Sequence, residues 1–168
     1  MSDQALREHL VKLLIWNHAH VDFDAAVAGL PPALRGLRPE GAAHSAWEQL
    51  EHLRMAQVDI LGFSRDPDHL SPPWPANYWP PSPTPPNDGA WAASVAALHA
   101  DLQAMCNLVT NPASDLFAPF PWGKGQTLLR EALLLADHNA YHVGQLVLVR
   151  RLLGAWLLGK SGSGSQRE

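Results

Sequence analysis

Apolar residues recur at three- and four-residue spacing in four stretches of the chain. In the first, Leu6, Leu10, Leu13, Leu14, Asn17, Val21 and Ala25 predict an amphipathic helix over about residues 4–28. Gly29 and the Pro31-Pro32 pair close it. The second opens with Ser45-Ala46-Trp47-Glu48, the pattern of a capping box, and continues through Ala46, Leu50, Leu53, Ala56, Ile60 and Phe63 to about Ser64. The third starts from Asp88 as N-cap, carries Trp91, Val95, Leu98, Leu102, Met105 and Leu108, and ends near Thr110. The fourth is capped by Gln126 or Thr127 and runs from Leu128 to about Leu153. In it Leu128, Leu135, His142 and Val149 are spaced by sevens, so a histidine stands in a column of large aliphatic residues.

The prolines agree with this division. All 15 fall between the periodic stretches, and nine lie between Pro67 and Pro86. Proline inside a helix removes a hydrogen bond and clashes with the preceding turn, at a cost of about 3 kcal/mol. The chain therefore reads as all-α, with four helices. A single domain is expected over residues 1–158, with a Gly/Ser-rich flexible tail over 159–168. The proline-rich stretch also carries Trp74, Tyr78 and Trp79. Such aromatics are out of place in a solvated linker and predict an ordered cover folded back over the helices. A semi-rigid spacer or proline-rich peptide ligand is the alternative.

Composition narrows the classes. Hydrophobic residues make up 46% of the 168 and charged residues 17%, enough for a packed core and too little charge for a disordered chain. The net charge of −4 gives no general basis for holding a phosphate backbone, so no nucleic-acid partner is expected. The single cysteine, Cys106, fits a reducing compartment, and no apolar run spans a bilayer; a cytoplasmic protein with no membrane partner is expected.

The candidate chemistry is histidine chemistry. His138 and His142 are four apart on the predicted last helix, which places both imidazoles on one face within reach of one divalent ion. Core or surface histidines remain the alternative. His52 lies on the edge of the apolar stripe of the second helix and can supply a third ligand if the two helices pack together. His44 and Glu48 share a four-residue row with His52. The capping box, however, puts His44 outside the helix and engages Glu48 with the backbone. His18 and His20 point apart on a helix and cannot share an ion. The position after His138 is Asn139, not the glutamate general base of a zinc protease, so that reading fails.

The stretch His44-Ser45-Ala46-Trp47-Glu48-Gln49-Leu50-Glu51-His52-Leu53-Arg54, with Gln57-Val58-Asp59-Ile60-Leu61, resembles the second helix of the DinB-like proteins. Asp137-His138-Asn139-Ala140-Tyr141-His142-Val143-Gly144-Gln145-Leu146 is similar to that family's last helix. The resemblance implies an up-down four-helix bundle, with a long ordered loop between helices two and three. It implies a metal held by His52, His138 and His142, frequent homodimers, and members that are metal-dependent transferases using low-molecular-weight thiols. Two functions follow as expectations. One is a metal-dependent enzyme, a small-thiol transferase or a hydrolase acting on a small molecule. The other is a non-catalytic metal-binding or stress-related module in which the ion is structural. Imidazole ligands suit zinc or nickel, with iron, copper or manganese as further choices. Asp59, Gln145, Trp47 and His20 are the expected supporting or pocket residues. No residue is assigned a catalytic role.

Overall fold

The computed structural model describes residues 3–15 and 19–156, and among them every regular element is a helix. The α-helices are α1 Gln4–Ile15, α2 Phe23–Val27, α3 Ala46–Arg65, α4 Ala90–Thr110 and α5 Leu128–Leu152. Among the described residues no helix is long and apolar enough to cross a membrane.

Three expected helices start where local chemistry makes them start. Ser45 accepts from the Glu48 N–H while the Glu48 carboxylate accepts from the Ser45 N–H, so the capping box at α3 is complete. Thr127 caps α5 by accepting from the Arg130 N–H. α4 is capped by Gly89 rather than Asp88, because the Asn87 side chain accepts from the Gly89 N–H and forms a turn there.

The first block departs further from expectation. α1 ends at Ile15, and the separate α2 follows Asp22, whose carboxylate accepts from the Ala25 N–H. A single helix over residues 4–28 is therefore overturned. An aspartate that bonds its own backbone three residues on favours a new helix start over continuation. Asn17 and His18, both part of that expectation, lie outside the described residues.

α1 packs on α4, α4 on α3, α3 on α5 and α5 on α1, a closed circuit of four helices, and α2 packs on α5. Leu14, Leu50, Leu53, Leu61, Leu98, Met105, Leu135 and Leu146 are fully enclosed in it. Each such side chain contributes about 1.5–3 kcal/mol by leaving water.

Two buried arginines fasten helix ends to this circuit. Arg7 on α1 donates to the carbonyls of Val109, Asn111 and Ser114, closing the C-terminal end of α4. Arg150 on α5 donates to the carbonyls of Ala25 and Ala26 at the end of α2. Each guanidinium fork meets carbonyls at a helix C-terminus, and Arg7 also meets those of the turn that follows α4. Arg7→Ala is therefore expected to destabilise the protein by about 2–4 kcal/mol in urea denaturation. The exposed Lys12→Ala on the same helix should change it by less than about 0.5 kcal/mol.

Candidate metal centre

α3 and α5 meet in antiparallel register, and that register assembles the site. His52 on α3 faces His138 on α5, with the two Nε2 atoms 3.1 Å apart. Three residues back along α3, Gln49 reaches His142, which is four residues forward along α5. His52, His138 and His142 each offer one nitrogen, and the three nitrogens lie within 4.8 Å of one another. Two nitrogens bound to one ion at about 2.0–2.1 Å are separated by about 2.9–3.4 Å at ordinary coordination angles. The His52–His138 spacing falls in that range.

Each ring is aimed by what its other nitrogen touches. His52 Nδ1 donates to the Tyr78 carbonyl at 2.7 Å. His142 Nδ1 donates to Gln49 Oε1 at 2.8 Å. With the proton held on Nδ1, the Nε2 lone pair of each ring points inward. His138 Nδ1 is buried without a hydrogen-bond partner. Lone pairs converging on one point repel unless a positive charge, a proton or a metal ion, lies among them. The donor set thus fits a divalent ion.

The segment between α3 and α4 covers one side. The Trp79 indole stacks on the His52 ring at 4.0 Å and on the His44 ring at 3.7 Å. The Tyr78 hydroxyl donates to Asp59 Oδ2 at 2.6 Å, and Asp59 Oδ1 lies 2.7 Å from His69 Nε2. Asp59 therefore supports His52 through Tyr78 rather than by touching an imidazole. On the other side the Tyr141 ring stands edge-on to His142 at 4.9 Å.

The remaining expected residues fall elsewhere. Trp47 is buried in the hydrophobic core, and its backbone N–H donates to the Arg35 carbonyl. Gln145 is half-buried, and among the described residues it has no hydrogen bond to a histidine. His20 is exposed and bonds the Val21 carbonyl. His44 stays outside the cluster, and Glu48 is engaged by Arg38 and Ser45. Gln49 and the Tyr78 carbonyl, which orient two of the rings, carried no assigned role in the sequence reading. Gln49 had one available signal, its place one turn before His52 on the same stripe. The Tyr78 carbonyl had none.

A family model described as the DinB superfamily matches residues 16–146, a span that contains all three histidines. The chain belongs to the DinB superfamily. No curated protein and no solved structure matches it.

In this DinB-superfamily chain the electrostatics keep the imidazoles neutral. Burial, and then the neighbouring His52, lower the His138 pKa to about 4. Burial, followed by His138 and His52, lowers that of His142 to about 3. Burial also lowers that of His52, offset in part by its bond to the Tyr78 carbonyl. Neutral rings keep their lone pairs for an ion at neutral pH.

The same shifts make metal-free protein sensitive to acid. In the unfolded chain these histidines protonate near 6.5, whereas His138 and His142 in the folded chain wait until about 4 and 3. Between those limits the unfolded state binds more protons, so stability is intact above 6.5 and falls as pH drops toward 4 and then 3. Urea denaturation of chelated protein should lose about 1–2 kcal/mol per histidine between pH 6.5 and 5. His142→Leu should flatten that slope; an unchanged slope would contradict burial as its origin.

Proposed function

We propose that His52, His138 and His142 hold a divalent transition ion, zinc or nickel before iron, copper or manganese, as the working centre of a metal-dependent enzyme. The reaction we favour is transfer of a low-molecular-weight thiol to a small electrophile, or hydrolysis of a small molecule. The observation that carries this reading is the convergence of three neutral imidazoles from two helices, two of them with Nδ1 tied to an outer acceptor.

Bound by three neutral ligands, the ion would keep its full charge, lower the pKa of a bound thiol or water, and polarise an electrophile. The protein residues would do the rest. Tyr78 and Gln49 hold the ligand rings, and Trp79 excludes water from one face of His52. In this reading the segment over residues 67–86 is the wall that shapes the pocket within one domain over 1–158; with α3 antiparallel to α5 and parallel to α4, the four longer helices do not follow the simple up-down order expected. Arg54 and Arg130 are ion-paired with Glu51 and Glu131, and Arg150 is spent on helix carbonyls. An anionic thiol would therefore have to displace Arg130, the exposed one, from its partner.

We also propose a cytoplasmic homodimer. Leu133, Tyr141, Leu148 and Leu152 are exposed at helical spacing on one face of α5, which a second copy would cover.

Elemental analysis of purified protein tests the core of the proposal. It should find about one divalent metal per chain, lost from both His138→Ala and His142→Ala. Metal-loaded protein should then turn over at least one pair in a panel of small thiols and electrophiles. Metal retained in both variants would refute the ligand set. Unfolding on metal removal, with no turnover, would favour the structural-ion reading instead.

A further inference from the structure

A chain of side-chain amides crosses the core from α4 to the histidines. Gln57 on α3 donates its NH2 to the Leu98 carbonyl on α4, and its Oε1 accepts from the Asn139 NH2 on α5 at 3.0 Å. Both side chains are fully buried. A backbone carbonyl only accepts, so Leu98 fixes which end of Gln57 faces it, and Gln57 in turn fixes Asn139. The end of Asn139 left over is Oδ1, a buried acceptor with no partner among the described residues.

Asn139 follows His138, whose Nδ1 is likewise buried and without a partner. The two side chains act on each other. Burial, and then His52, lower the His138 pKa, whereas the Asn139 side chain raises it as a hydrogen-bonding neighbour. Buried polar groups are ordinarily paired, so two orphans on consecutive residues need a reason. The place of one proton supplies it. His52 keeps its proton on Nδ1 for the Tyr78 carbonyl, which leaves its Nε2 a bare acceptor. His138 Nε2, 3.1 Å away, therefore carries the His138 proton and donates to it. His138 Nδ1 is then a lone pair beside the Asn139 oxygen, and two acceptors make no bond. With Nε2 committed to an ion, the neutral ring can hold its proton only on Nδ1. One proton leaves Nε2 for solvent and one reaches Nδ1 from solvent, so the ring gains no charge.

We infer that Asn139 is the positioning residue of His138: its Oδ1 accepts the Nδ1–H that the ring presents when Nε2 binds a divalent ion. Asn139 thereby does for His138 what the Tyr78 carbonyl does for His52 and Gln49 for His142. The role rests on the metal-centre reading of the three histidines.

The test is a zinc titration followed by NMR, with 15N in histidine and 13C at the side-chain carbonyl of asparagine. In chelated wild-type protein His138 should be the Nε2–H tautomer. Zinc should convert it to Nδ1–H, and the Asn139 carbonyl signal should move with the same saturation. Asn139→Leu, which keeps the shape and removes the acceptor, should weaken zinc binding about tenfold or more. Asn139→Asp restores an acceptor but loses the NH2 that bonds Gln57. It should recover most of the zinc affinity while remaining less stable than wild type, a separation that a purely structural role does not give. Zinc binding that leaves the His138 tautomer or the Asn139 signal unchanged in wild type would overturn the inference, whether or not a variant folds. So would wild-type affinity in Asn139→Leu, or an equal loss in both variants. Each of these leaves the metal centre standing, whereas wild-type protein that binds no zinc would overturn both.

Discussion

The antiparallel contact of α3 with α5 is the constraint on which the rest depends. A helix carrying two histidines one turn apart makes half a site. The other half arrives only because α3 lies in a register that sets His52 against His138 and Gln49 against His142. The capping box at Ser45 and the cap at Thr127 fix where each helix begins. Apolar packing at Leu50, Leu53, Leu135 and Leu146 fixes how they meet. A slip of one residue on either helix rotates its side chains by about 100° and separates the rings.

Burial of three imidazoles is costly in itself, and the surroundings show how the cost is managed. The protons of His52 and His142 are given acceptors, the Tyr78 carbonyl and Gln49. Trp79 then presses on the His52 face, and Asp59 anchors Tyr78 through its hydroxyl. What remains without a partner is His138 Nδ1, and the Nε2 atoms of His52 and His138 meet only each other. A cation bound between the rings would relieve that arrangement, which supports the proposed metal centre over a core that happens to contain histidines.

Much of this was legible in the sequence, for identifiable reasons. The column Leu128, Leu135, His142, Val149 marked a histidine on a core face, and His142 is buried. The capping box removed His44 and Glu48 from the row that includes His52, and neither joins the cluster. Other parts were illegible because their signals were local or absent. Asp22 starts a new helix inside an apolar period that continued through it. The groups that orient His52 and His142 are a backbone carbonyl, which has no residue identity, and a glutamine indistinguishable from a surface one. That Trp79 rather than Trp47 lies on His52 depends on the path of a proline-rich segment, which periodicity does not describe.

X-ray absorption at the edge of the bound metal reads the ligand shell of the proposed centre. A first shell containing three imidazole nitrogens at about 2.0–2.1 Å is expected, with the multiple-scattering pattern of the rings and at least one further light-atom position. Loss of one ring from that pattern in His52→Ala would place α3 in the shell. A sulfur scatterer at about 2.3 Å in protein free of added thiol, or a shell with two or fewer imidazoles, would contradict it.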